Sequence, residues 1–122
     1  MESPFKSKNG LERIAKALGY SLAGLKAAYK NEAAIRQETW LMVVLVPLGL
    51  YLGQTNIERI LLVGVVFLVF IVELLNSAVE AAVDHTSIDH HKLAGRAKDI
   101  GSAAVFVSIM LLLLVWYLVI CG

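Results

Sequence analysis

Residues 57–84 read IERILLVGVVFLVFIVELLNSAVEAAVD. The first half is hydrocarbon, with no charged side chain from Ile60 to Val72. The second half stays apolar in most positions yet carries Glu73, Asn76, Glu80 and Asp84. On a helix these four fall within about 80° of the circumference and climb roughly 16 Å. The stretch therefore predicts one long helix that is lipid-soluble along most of its surface and polar along a narrow stripe. A carboxylate near the middle of a bilayer costs about 2.5–3.5 kcal/mol on insertion scales, so two of them on one face point to chemistry. For Asn76 a plain interhelical hydrogen bond is the competing explanation.

The rest of the chain agrees with a membrane setting. It has 122 residues, 58% of them hydrophobic, enough for one domain and too apolar for an ordinary soluble one. A membrane helix needs about 20 apolar residues. Three stretches qualify, at about 35–52, 57–83 and 101–121. The first has a short apolar core, 39–52, and contains Pro47, so it has to borrow residues from 33–38 or sit tilted or kinked. The expected fold is all-α, with three transmembrane helices preceded by a surface helix.

Charge placement sets the expected orientation. The net charge is only +1, but seven of the eleven Lys and Arg lie in the first 36 residues. Lys92, Arg96 and Lys98 flank the third span within a segment, 84–99, that reads as a loop. The positive-inside rule puts both regions in the cytoplasm and the short 53–59 turn outside, giving an inward N-terminus and an outward C-terminus. No signal-peptide pattern is evident, and a lone cysteine, Cys121, excludes an intrachain disulfide. Residues 11–30 place Ile14, Leu18, Leu22, Leu25 and Tyr29 on one helical face, with Lys16, Lys26 and Lys30 mostly off it. A basic amphipathic helix suits the surface of anionic lipid, and packing against the bundle is the alternative.

The stripe grades in depth. Glu73, the deepest, suits a general base, because desolvation strengthens a carboxylate's hold on a proton. Glu80, nearer water, suits a hard divalent cation, with the Asn76 carbonyl one turn away. Glu32 precedes the first span at the same expected level as Glu80, and two carboxylates there repel unless a cation bridges them. Glu32 and Arg36 also have the spacing of a simple helical ion pair. Lys98 and Arg96 are natural phosphate partners, or else plain flanking charge. His85, His90 and His91 do not have the setting of a metal site. No GxxxxGK[ST] loop and no protein-kinase catalytic loop occurs. A nucleotide here has to be held by carboxylates through a metal and by Lys and Arg, which is what phosphoryl transfer needs.

Three segments in order, GYSLAGLKAAYKNEAAIRQE (19–38), VELLNSAVEAAVD (72–84) and GRAKDIGSAAV (95–105), make the chain resemble the small bacterial integral-membrane diacylglycerol kinases. The likeness covers about residues 11–110. It implies a homotrimeric helical bundle in the bacterial inner membrane, with active sites shared between subunits. It implies transfer of the γ-phosphate of Mg-ATP to the hydroxyl of diacylglycerol, giving phosphatidic acid. By position the resemblance makes Glu73 the catalytic base and Glu32 and Glu80 the Mg²⁺ carboxylates. It assigns Asn76 and Asp84 to the same motif and gives Arg13, Tyr20, Asp89, His90, His91, Lys98 and Asp99 nucleotide contacts. Ala33, Ala34, Ile35, Arg36, Gln37, Glu38, Arg59, Ser102 and Trp116 match positions near the lipid substrate.

Related proteins of the same motif phosphorylate undecaprenol, and the RQE and GRAKDIGSA segments favour the diacylglycerol type. Two readings from other classes are a small proton-coupled exporter and an assembly subunit whose polar groups only specify helix packing. Pro47 has no functional account.

Overall fold

A computed structural model describes residues 9–86 and 91–122, the side chains of Thr86 and His91 excepted. Among them are four helices: α1 (Gly10–Asn31), α2 (Ala33–Leu52), α3 (Asn56–Thr86) and α4 (His91–Cys121). The chain forms two compact units, divided between Ala33 and Ala34.

The first unit is α1. Asn9 caps it, its Oδ1 accepting from the Glu12 N–H at 2.7 Å, and the acidic Glu12 follows in the first turn. Gly19 and Gly24 do not interrupt it. The helix stops at Glu32, whose backbone is extended (φ −119°, ψ 114°) while its N–H still reaches the Ala28 carbonyl. Glu32 therefore lies outside both helices.

The second unit holds α2, α3 and α4, each long and apolar enough to cross a membrane. Three contacts fix how α3 meets α4: Asp84 with Lys98, Asn76 with Gly101, and Leu62 with Trp116. As numbers rise along α3 from Leu62 to Asp84, those of their α4 partners fall from Trp116 to Lys98, so the two helices run antiparallel. Counted along α3, the seam from Leu62 to Asp84 is about 33 Å long, comparable with the hydrocarbon thickness. The α2–α3 pair is antiparallel by the same test, with Gly49 beside Leu62 and Val63 at one end and Glu38 near Glu73 at the other. The buried core is small, namely Ile35, Leu62, Val65, Val66 and Val69. Large apolar side chains such as Trp40, Val44, Phe106 and Leu113 point outward. Such faces carry no penalty against lipid or a neighbouring helix.

Close packing explains several residues. A Cβ on Gly49 would meet Leu62 Cβ at 3.2 Å and the Trp116 ring at 3.6 Å, so a larger side chain would push α2 off its partners. The Trp116 indole N–H donates to the Leu62 carbonyl at 3.1 Å, which satisfies a polar group that lipid could not. Between α2 and α3, Thr55 and Glu58 form a capping turn, with Thr55 Oγ1 accepting from the Glu58 N–H and Glu58 Oε1 from the Gln54 N–H. Arg59 donates Nε to the last-turn carbonyl of Leu50 and Nη1 to Asn56. A Cβ on Gly53 would strike the Arg59 backbone at 2.9 Å, so glycine lets α3 start this close.

Two expectations change. Pro47 breaks nothing, since α2 runs through it as one helix. The described residues of the expected 84–99 loop are helical, because α3 continues to Thr86 and α4 begins at His91, ten residues before the expected span. Its polar residues 92–99 are helical because they extend a helix already nucleated by the span, where charge costs nothing.

Candidate functional site

The polar stripe of α3 forms as its spacing predicts. Asn76 Nδ2 donates to Glu80 Oε1 at 3.0 Å, one turn apart and half-buried. A carboxylate can only accept, so the amide must present its NH₂ group to Glu80. The amide oxygen then points the other way. Asn76 Oδ1 is buried without a hydrogen-bond partner, against Gly101 of α4. This corrects the expectation that the Asn76 carbonyl stands beside Glu80 as a second oxygen ligand: the amide supports the carboxylate instead.

Deeper along the stripe, Glu73 is half-buried, and Glu38 of α2 is 9% exposed within electrostatic reach of it. The two helices thus bring a pair of acids together inside the span. Towards the other end, Lys98 Nζ donates to Asp84 Oδ1 at 2.9 Å, with side chains 43% and 64% exposed, and Glu80 is also within its reach. Along α3 the order is acid pair, amide-supported carboxylate, then ammonium.

The remaining predicted positions divide by place. Ala33, Ala34 and Gln37 are exposed at the start of α2, whereas Ile35 is fully buried and Arg36 half-buried. Asp99 and Ser102 are exposed on α4. Arg59 lies in the capping turn and Trp116 in the three-helix contact near Leu62, both at the end of the bundle away from Lys98. Arg13 and Tyr20 lie exposed on α1, and Glu32 closes that unit. Asp89 and His90 lie outside the described residues, and His91 opens α4.

Sequence reasoning missed three relationships: Glu38 with Glu73, Asp84 with Lys98, and Asn76 with Gly101. The first two join helices whose register no local pattern sets. For the third the only signal was a glycine at the start of the third span.

Among the described residues no three His, Cys, Asp or Glu side chains gather as a metal site. The donor chemistry still suits a hard cation. Glu80 has one oxygen engaged by Asn76 and a second left for another partner, and magnesium sites commonly use one or two carboxylates plus substrate phosphates and water.

A family model for prokaryotic diacylglycerol kinase matches residues 19–120. A diacylglycerol kinase of Pseudomonas aeruginosa is 49% identical over 120 residues, which is 98% of this chain and 98% of that one. Those of Haemophilus influenzae and Escherichia coli are each 50% identical over 107 residues, 88% of this chain and 91% and 88% of theirs.

Proposed function

The chain belongs to the prokaryotic diacylglycerol kinase family, and on that premise we propose how its residues divide the work of a membrane lipid kinase. The reaction is transfer of the γ-phosphate of ATP to the free hydroxyl of diacylglycerol. The attacking oxygen forms a new P–O bond, the bond between the γ-phosphorus and its bridging oxygen breaks, ADP leaves, and one proton must be removed.

Glu73 takes that proton. It lies on the part of α3 that a lipid hydroxyl can reach, and a carboxylate held there by its helix is a positioned general base, with the acid Glu38 of α2 beside it. Glu80, fixed by the Asn76 amide, and Glu32 would hold Mg²⁺, which neutralises phosphate charge when bound. Lys98 binds the phosphates of the nucleotide as a point charge, exchanging its contact with Asp84 for one with the ligand. Asp99, Arg13, Tyr20, Asp89, His90 and His91 complete the nucleotide contacts. Ala33–Glu38, Arg59, Ser102 and Trp116 border the lipid.

The observation that carries the reading is the Asn76–Glu80 hydrogen bond between the Glu38–Glu73 pair and Lys98. It sets a base and a metal carboxylate along α3 with a phosphate cation beside them on α4, in the sequence that a lipid hydroxyl meeting a water-borne nucleotide requires. An exporter needs no phosphate cation beside its carboxylate. Mixed micelles of protein, Mg-ATP and diacylglycerol should yield phosphatidic acid, and Glu80→Gln should raise the magnesium requirement.

The assembly we propose is a homotrimer in the inner membrane, N-terminus inward, with α1 lying on the cytoplasmic surface. The exposed apolar side chains Leu11, Ile14, Leu18 and Leu22 of α1 support the surface position. Glu73 and Glu80 are only half-buried by their own chain, so a neighbour's helix has to complete their shielding from lipid. Cross-linking in micelles tests the number of copies.

A further inference from the structure

We propose that Gly101 is a positioning residue for the kinase reaction: its missing side chain holds the Asn76 amide in the orientation that fixes Glu80. The inference rests on the reading of Glu80 as a metal carboxylate, and its geometry stands on three observations.

A Cβ built at Gly101 falls on Asn76 Oδ1, with Asn76 Cγ 3.2 Å away. That oxygen is fully buried and accepts no hydrogen bond, so it is held by shape rather than by a donor. The opposite end of the same amide donates to Glu80 Oε1 at 3.0 Å.

The three form a relay with one free variable, the rotation of the amide about its Cβ–Cγ bond. Burial without a partner is costly, so Asn76 would turn its oxygen elsewhere if that kept Nδ2 bonded. The Glu80 carboxylate forbids a flip, because the amide oxygen would face another acceptor. Gly101 is the contact that lets the amide stay. Its Cα–H offers only a weak interaction to the oxygen, but leaves room for it. An alanine would force the amide to rotate or α3 and α4 to part, and either movement releases Glu80.

Two measurements on the full-length protein in micelles test this. In the first, magnesium is titrated in the kinase assay. Gly101→Ala should raise the half-saturating Mg²⁺ concentration about 10- to 100-fold, the usual effect of losing a residue that orients a metal ligand. The KM for diacylglycerol should stay unchanged. Gly64→Ala, a substitution with nothing within 4 Å of the new carbon, should leave both constants alone. If Glu80→Gln moves the magnesium midpoint and Gly101→Ala does not, the positioning role is overturned. If Glu80→Gln itself leaves the midpoint unmoved, the metal reading is what fails.

The second measurement needs no activity. Thermal unfolding is compared for Gly101→Ala in the otherwise unaltered protein and in an Asn76→Ala background. A midpoint lowered when Asn76 is present and unchanged in the Asn76→Ala background supports the contact, because the second background lacks the amide oxygen. Equal losses in both backgrounds overturn it.

Discussion

Lys98 of α4 and Asp84 of α3 are joined by a 2.9 Å hydrogen bond that closes one end of the antiparallel pair. Both side chains are well exposed, so water screens the pair and it contributes little to stability. Its value lies in where it holds the ammonium. Asp84→Asn should leave the melting temperature unchanged and alter the KM for ATP. Lys98→Met should weaken ATP about ten- to a hundredfold, the worth of a charge-assisted hydrogen bond. Equal KM values in all three proteins would remove Lys98 from the nucleotide site.

Glu73 and Glu80 make separable predictions. Glu73→Gln keeps size and hydrogen bonding but cannot take a proton, so kcat should fall about 10²- to 10⁴-fold. Nucleotide affinity, followed with a fluorescent ATP analogue, should stay unchanged. Glu80→Gln should instead shift the magnesium dependence.

Helix packing provides a third check. Gly49→Leu inserts a side chain against Leu62, Val63 and Trp116, and overpacking of this kind costs about 1–3 kcal/mol. Trp116→Phe keeps an aromatic ring and loses the N–H to the Leu62 carbonyl, which costs about 1 kcal/mol. Reversible unfolding in micelles reads both, and loss of stability without a change in diacylglycerol KM would make Trp116 a packing residue only.

Arg59 tests the outer turn. Its fork binds Leu50 and Asn56 together, so Arg59→Lys should not restore what Arg59→Ala loses in thermal stability. A rise in diacylglycerol KM in both variants would support its place near the lipid.

Much of this arrangement could be read from the chain. The apolar run and the stripe at Glu73, Asn76, Glu80 and Asp84 are local patterns, and α3 places them on one helix as expected. The extents 11–30 and 57–83 lie within a few residues of α1 and α3 because caps and apolar ends mark them. The start of α4 was hidden because Lys92, Arg96 and Lys98 look like loop residues, while a helix leaving the bilayer keeps its hydrogen bonds in water. The break at Glu32 had no glycine or proline to mark it. Glu38 beside Glu73 and Gly101 against Asn76 depend on which faces of separate helices meet, and a single sequence does not fix that register.

The most direct test of the central claim is product formation by purified protein with Mg-ATP and either diacylglycerol or undecaprenol in the same micelles. The account predicts phosphatidic acid from the first lipid, little product from the second, and almost none from either with Glu73→Gln. Undiminished phosphatidic acid from Glu73→Gln, or no phosphorylation of diacylglycerol by the unaltered protein, would contradict it.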